Sequence, residues 1–188
     1  MGIFTLGKLN TVPAADAPEL VAPHVLAALK SVGLEREVGV VEIDPDLSDT
    51  AATEAEYDLT PETLANCVIV TGKREGKERI AACVVPSTTR ADINNLVKKR
   101  LDVRKASFMP REQAVETTGM EFGAITPVGL PNGWPIYVDA RIATTPLLIV
   151  GSGIRKSKLL IPGALFDKLP GVEIVEDLGR EIESRGEQ

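Results

Sequence analysis

The pattern of apolar positions changes along the chain between helical spacing and strand alternation. Val21, Val25 and Leu29 recur at helical spacing. Pro23 suits a first helical turn and Gly33 suits the position just after a last turn. These features predict a first helix that ends near Gly33.

Other apolar runs have the alternation or the short length that is typical of strands. The runs that predict strands are 37–43, 67–70, 80–85, 135–138, 147–150, 158–161 and 172–175. Two of them, 67–70 and 80–85, are separated by the charged, Gly-containing stretch 72–77. This spacing predicts a hairpin whose strands are covered on both faces.

Four further segments carry helical signals. They are 48–57, with Thr50 or Thr53 as its cap, 88–101, with Thr88 or Thr89 as its cap, 110–117, and 163–169. Because the strands form hairpins and do not alternate regularly with helices, the pattern predicts an α+β fold. The expected architecture is a single domain with a mixed, mostly antiparallel sheet and flanking helices.

The chain of 188 residues is most simply one domain. Residues 1–17 show no clear period, which predicts an irregular N-terminal arm that is either poorly ordered or a lead-in to the domain. The domain itself is expected over residues 18–176. Residues 177–188 are dominated by charge and are expected to form a frayed tail.

The composition of the chain argues against a membrane-spanning or secreted protein. No segment approaches the run of about 20 apolar residues that crosses a bilayer, and the first residues do not form a secretory signal. We therefore expect a soluble cytoplasmic protein with no membrane partner. The net charge of −6 argues against binding DNA or coating nucleic acid non-specifically, but it permits a local basic patch that contacts one end of an RNA.

The reactive side chains are few. His24 is the single histidine, which excludes the usual Ser/His and Cys/His catalytic pairs and multi-histidine metal sites. Cys67 and Cys83 lie in apolar runs and are expected to be buried, reduced thiols. No Walker A motif or dinucleotide fingerprint is present. The sequence thus predicts no metal and no cofactor.

The segment 121–133 contains three glycines and two prolines. Gly123 and Pro127 stand at glycine-x-x-x-proline spacing, and Gly129 follows. Proline restricts φ and glycine permits positive φ, so such a segment can direct backbone N–H groups at a carbonyl or a developing oxyanion. An ordinary turn between two strands is the alternative.

The order of these features resembles the YbaK-like family of aminoacyl-tRNA editing proteins, which includes the editing domain inserted in bacterial prolyl-tRNA synthetases. The resemblance covers residues 21–175. It rests on five motifs in the same order: the strand 66–70, the helix 110–118 with the glycine after it, the loop 123–129, the Asp139-Ala140 pair, and the glycine turn 151–153.

The resemblance implies an aminoacyl-tRNA deacylase that acts in trans on mischarged tRNA, with a synthetase as a possible partner. Gly123 and Pro127, with Gly129 nearby, would contact the aminoacyl end through the backbone. The turn Gly151, Ser152, Gly153 would help to hold the terminal adenosine.

Two further positions keep two interpretations each. Asp139 is either the N-cap of the following segment or a polar wall of the pocket. The Thr126 hydroxyl either meets the substrate or packs within its turn.

Asn66 departs from the family pattern, in which many members have a lysine at the start of this strand. Asn can orient a water or a carbonyl, but it carries no charge. Lys73 is about 20 Å further along an extended strand. Two interpretations remain open for the basic residues after the second glycine turn. One of Arg155, Lys156 and Lys158 replaces the missing lysine charge, or all three belong to a solvated basic loop. Loss of the lysine also leaves open a non-catalytic module that binds an aminoacyl or adenosine-like ligand.

The remaining candidates are basic side chains that would contact tRNA phosphates without reading sequence. They are Lys98, Lys99, Arg104 and Lys105, with Arg155 and Lys156 near the acceptor end.

Overall fold

The computed structural model describes residues 3–182, which form thirteen strands and five α-helices. The strands are β1 Thr5–Leu6, β2 Leu9–Asn10, β3 Val12–Pro13, β4 Gly39–Glu42, β5 Ala65–Arg74, β6 Lys77–Pro86, β7 Thr89–Ala91, β8 Ala106–Phe108, β9 Ile136–Asp139, β10 Leu148–Gly151, β11 Ser157–Ile161, β12 Val172–Val175 and β13 Gly179–Glu181. The α-helices are α1 Pro23–Ser31, α2 Thr50–Tyr57, α3 Lys98–Leu101, α4 Arg111–Thr118 and α5 Ala140–Thr144. Short 3-10 helices cover Ala14–Asp16, Pro18–Leu20, Pro45–Leu47, Pro61–Thr63 and Gly163–Lys168.

A five-stranded sheet in the order β12-β9-β6-β5-β8 forms the centre of the domain. β5 and β6 make the predicted hairpin, with Arg74 opposite Lys77 at its tip. β9 runs parallel to β6, and β12 runs parallel to β9, while β8 is antiparallel to β5. The predicted α+β class with a mixed sheet is confirmed.

A second sheet, β10-β11-β4-β3, is antiparallel throughout. It meets the first sheet where Leu64, just before β5, pairs with Ile149 of β10 in a parallel bridge. All five residues of β11 are buried, including the polar Ser157 and the charged Lys158 that precede its three apolar residues.

The main core lies between these sheets and α1. α1 buries Val25, Leu26 and Leu29 in the same apolar cluster as Phe166. The helix begins at Pro23, and Gly33 follows its end with φ of +72°. The predicted first-turn proline and the predicted glycine after the last turn are therefore confirmed.

The predicted helix 88–101 is wrong over its first residues. Thr89 to Ala91 form β7, which pairs with β13, and a π-helical turn, Ile93–Val97, precedes α3. Asp92 caps that turn by accepting a hydrogen bond from the Asn95 amide at 3.2 Å. The partner strand is about 90 residues away in sequence, so a local pattern does not reveal the pairing.

The described parts of both chain ends pack against the domain. β3 pairs with β4, and Ala14 is fully buried. Leu178 is fully buried before β13. Residues 183–188 of the predicted tail lie outside the described residues, and the predicted domain boundaries remain a prediction. Within residues 3–182, no helix is long and apolar enough to cross a membrane.

Candidate active site

Lys158 provides a buried ammonium group at the centre of the second sheet. It lies in β11, opposite Gly151 of β10 and Val41 of β4, and is 8% exposed. Its Nζ donates to the Ser48 carbonyl at 2.8 Å and to the Gly123 carbonyl at 3.5 Å. An ammonium has three donors. Within the described chain, these two acceptors leave one donor for a substrate oxygen.

Burial lowers the pKa of Lys158 to about 8, because desolvation disfavours its charged form. The Arg155 guanidinium lowers the pKa further, and the Asp49 carboxylate partly opposes both effects. The ammonium is therefore mostly charged at neutral pH, but it releases its proton more readily than an exposed lysine does.

Gly123 faces the same space as this ammonium. Its φ of +79° lies in the left-handed region. A Cβ at this position would lie 3.0 Å from Nη1 of Arg155 and 3.1 Å from Oγ of Ser48. The absence of a side chain at Gly123 keeps open a small space bordered by a guanidinium and a hydroxyl group.

Arg155 ties the Gly123 loop to the segment before α2. Its backbone amide donates to Oε2 of Glu121 at 2.7 Å. Its guanidinium donates to the Phe122 carbonyl and to the Pro45 carbonyl, each at 2.9 Å. The charge of Arg155 thus stays beside Gly123 while its hydrogen bonds hold the loop in place.

Two buried hydroxyl groups lack hydrogen-bond partners among residues 3–182. They are Oγ of Ser48 and Oγ1 of Thr126, in residues that are almost fully buried. A buried polar atom without a partner is uncommon and often marks a functional position. Ser48 borders the space at Gly123. Thr126 lies three residues further along the loop, where its amide donates to Sδ of Met120 at 3.4 Å.

Asn66 is half-buried at the start of β5. Its Oδ1 accepts a hydrogen bond from Oγ1 of Thr50 at 2.9 Å, which joins it to the first turn of α2. The Asn66 amide group also carries two N–H donors. Asn66 therefore provides polarity without charge beside the segment that holds Ser48.

The strand pairing relates the position of Asn66 to that of Lys158 through β10. The bridge between Leu64 and Ile149 aligns the start of β5 with β10. Asn66 lies two residues beyond this bridge on β5, and Gly151 lies two residues beyond it on β10. Gly151 is in turn the register partner of Lys158. β11 thus places the Lys158 cation two strands from Asn66, on the far side of β10.

The second glycine turn supports the loop from beneath. The Gly153 amide donates to the Ala124 carbonyl, and the Glu121 amide donates to the Gly153 carbonyl, each at 2.9 Å. A Cβ on Gly151 would lie 2.4 Å from the Ala124 carbonyl oxygen. Ser152 is buried, and its hydroxyl lies 2.6 Å from that of Ser157. The predicted contact of this turn with adenosine remains a prediction.

The far end of the loop faces a different space. Gly129 has φ of +79°, and a Cβ there would lie 2.9 Å from the His24 carbonyl oxygen, so this position packs against the start of α1. Pro127 is buried. Both residues, with Trp134, line a groove of about 680 Å³ that does not include Gly123. The loop therefore separates that groove from the Lys158 site.

Asp139 has the N-cap position that the sequence offered as one alternative. Its Oδ1 accepts from the backbone amide of Arg141 at 2.9 Å, and its Oδ2 accepts from the Gly179 amide at 2.8 Å. The Arg141 guanidinium completes an ion pair with it. Although burial alone would raise the pKa of this carboxyl group, these hydrogen bonds hold the pKa below its usual value. No hydrogen bond joins Asp139 to the Gly123 loop within the described chain.

The predicted tRNA-contacting cluster lies away from this site. Lys99, Arg104 and Lys105 are exposed, and Lys98 is half-buried. The Arg104 amide donates to the Lys73 carbonyl at 3.4 Å, which places the cluster near the tip of the β5–β6 hairpin. This tip is about 20 Å along β5 from Asn66. Lys156 is exposed near the site and lines a groove of about 610 Å³ that also includes Arg155.

The sequence identified the loop but gave too little weight to Lys158 and missed Ser48. The available signal was weak: Lys158 directly precedes the apolar run 159–161, but it also follows the polar residues 155–157, so the sequence did not distinguish it from a solvated loop residue. Ser48 had no comparable signal, since it is one of many small polar residues before α2.

Solved structures of other proteins share the fold of this chain. A hypothetical protein, APE2540, has a crystal structure that matches with a TM-score of 0.73 at 19% identity, covering 84% of this chain and 99% of that chain. A protein proposed as a trans-editing enzyme for prolyl tRNA synthetase matches with a TM-score of 0.70 at 18% identity, covering 85% of this chain and 96% of that chain. No curated protein sequence matches the chain.

The family model of the aminoacyl-tRNA editing domain matches residues 44–169, well over half of the chain. The matched range contains Ser48, Asn66, Gly123 and Lys158. The chain belongs to the aminoacyl-tRNA editing domain family, the YbaK family.

Proposed function

We propose that the protein is an aminoacyl-tRNA deacylase that acts in trans and hydrolyses the ester between a wrong amino acid and tRNA. The observation that carries the proposal is the buried ammonium of Lys158 beside the Gly123 carbonyl. This cation compensates for the uncharged Asn66, so the charge that the family pattern places on β5 comes from β11 in this chain.

The reaction requires stabilisation of negative charge on the ester carbonyl. Water adds to the carbonyl carbon and forms a tetrahedral oxyanion. Collapse breaks the bond to the ribose oxygen, which takes a proton, and releases the amino acid and intact tRNA. Lys158, the Ser48 hydroxyl and the N–H groups of the Gly123 loop supply donors for the oxyanion. The vicinal ribose hydroxyl or an ordered water carries the protons.

Removal of the Lys158 charge tests this assignment. Wild type is first incubated with a panel of mischarged tRNAs to find a substrate. On that substrate, Lys158→Met should lower the rate about 10²- to 10³-fold, as is typical for one oxyanion donor. Lys30→Met is the matched control, because Lys30 is exposed in the last turn of α1, has no proposed contact with tRNA, and should be nearly neutral. A panel with no substrate, or equal rates for wild type and Lys158→Met, would refute the proposal.

A non-catalytic module that binds the aminoacyl end is the second candidate, and Asn66 is the observation that favours it. Two variants separate the candidates. If wild type does not hydrolyse any substrate but Asn66→Lys does, the scaffold binds and lacks only the charge. If wild type hydrolyses and Asn66→Ala has the same rate, the side chain at 66 is dispensable and the binding-only candidate is wrong.

The partner proposed for either function is the acceptor end of aminoacyl-tRNA. The exposed Lys99, Arg104 and Lys105 would contact phosphates well away from the ester, and their effect should be lost as salt rises. Replacing the three by Gln should weaken binding of uncharged tRNA at low salt and flatten its salt dependence. An affinity that does not change between 50 and 200 mM salt, roughly the range in which phosphate contacts weaken, would contradict this role. A pull-down with a synthetase tests the further partner.

A further inference from the structure

Phe122 is an exposed aromatic residue directly before Gly123. The residue is 45% exposed, which is unusual for a large apolar residue in this protein. The Arg111 guanidinium carbon lies 3.3 Å from the centroid of its ring, so a planar cation covers one part of the ring. An exposed aromatic ring stacked on a guanidinium offers a flat surface to another planar group.

The backbone of Phe122 is held in place. Its carbonyl accepts a hydrogen bond from Nη1 of Arg155 at 2.9 Å, and Arg155 is also bonded to Glu121 and Pro45. The ring is therefore attached to a loop whose backbone is restrained by hydrogen bonds. A preorganised surface loses less entropy when it binds a ligand.

We infer that the Phe122 and Arg111 pair is a stacking platform for the terminal base of the RNA whose ester lies at Gly123. This inference rests on the proposed function and adds a binding site for a nucleobase. Adjacent Cα atoms are 3.80 Å apart. A ribose esterified at Gly123 therefore brings its own base within reach of the neighbouring side chain.

The chemistry of the pair fits a nucleotide better than an apolar ligand. Single-stranded RNA is held by stacking of its bases on aromatic rings and on arginine planes, with cations close to the phosphates. Arg111 supplies the positive charge beside the ring, while the carbonyl group of Phe122 remains engaged with Arg155. An apolar partner would leave the guanidinium of Arg111 partly desolvated without a counter-charge.

Binding of a CCA trinucleotide, measured by fluorescence anisotropy with a label at its 5′ end, tests the platform without any catalysis. Phe122→Leu keeps apolar volume but removes the ring, and should weaken binding about tenfold to a hundredfold. Phe122→Trp should restore wild-type affinity or exceed it. Ile174→Ala is the control for loss of an exposed apolar side chain, since Ile174 is 40% exposed on β12, and it should bind as wild type does.

A trinucleotide that lacks its terminal base separates stacking from other contacts. Wild type and Phe122→Leu should bind this probe equally weakly. Equal affinity of wild type and Phe122→Leu for CCA, or the same loss on both probes, would overturn the inference. Ring-dependent binding without any deacylation by wild type would leave the platform standing and refute only the proposed catalytic function.

Discussion

The buried charge of Lys158 should make the stability of the protein depend on pH in an unusual window. In the unfolded chain its pKa has the ordinary value of 10.5, and in the folded protein burial lowers it to about 8. Below pH 8 the group is charged in both states, so the folded protein bears the full cost of burying the ammonium. Between pH 8 and 10.5 only the folded state releases the proton, and stability rises.

The magnitude follows from the size of the pKa shift. One pKa unit corresponds to 1.36 kcal/mol, so the shift of Lys158 is equivalent to about 3 kcal/mol. Met at this position has a similar length and no titrating group. The free energy of unfolding of wild type, minus that of Lys158→Met, should therefore increase by about 3 kcal/mol between pH 7 and pH 10.5.

Urea denaturation followed by circular dichroism at several pH values in this range measures the difference directly. Subtracting the variant from wild type cancels the titration of the other lysines and of the tyrosines. Lys156→Met is the matched control and should show no such trend, because Lys156 is exposed. A difference between wild type and Lys158→Met that is constant with pH, or that decreases as pH rises, would refute the description of Lys158 as a desolvated ammonium.

Three other expectations concern the loop, the cap and the core. Gly123→Ala and Gly133→Ala should each lower the free energy of unfolding in urea by about 1 kcal/mol, because both glycines have positive φ. Only Gly123→Ala should slow deacylation, about tenfold or more, since a Cβ at Gly133 meets open space. Equal deacylation rates for the two variants would contradict the assignment of the site. Asp139→Asn should lower the free energy of unfolding by about 2–3 kcal/mol at pH 7, because it weakens the hydrogen bonds to Arg141. Since the pKa of Asp139 is lowered in the folded protein, this loss of stability should shrink as pH falls below 3.8. A loss that does not depend on pH in thermal melts would count against this role of Asp139. Burial raises the pKa of the Cys83 thiol to about 12, so iodoacetamide should label Cys83 only in unfolded protein, and fast labelling of native protein would show that it is accessible.

Local sequence patterns were sufficient wherever an element carries its own boundary signals. α1 begins at Pro23 and ends before Gly33, and α4 ends at Gly119 in the left-handed conformation, all as the residue types predict. The β5–β6 hairpin also followed from two apolar runs and a charged tip. The pairing of β7 with β13 did not, because each strand is only three residues long and its partner is far away in sequence.

Capping of α2 shows a smaller error of the same kind. The sequence offered Thr50 and Thr53, whereas Asp49 accepts the capping hydrogen bond from the Ala52 amide at 3.0 Å. Thr53 is fully buried, and its hydroxyl instead donates to the Leu47 carbonyl at 2.6 Å. Several neighbouring residues can cap a helix, and only the backbone path selects among them.

The sequence by itself determined the α+β class, the helices α1 and α4, the β5–β6 hairpin and the glycine and proline loop at 123–129, because periodicity and backbone restrictions are local properties of residue types. The tertiary structure alone decided which cation faces that loop. Asn66 leaves the start of β5 uncharged, and the register of β10 with β11 places Lys158 opposite Gly151. Register and burial are non-local, so only the folded chain shows that the lysine beneath Gly123 comes from a strand more than thirty residues away.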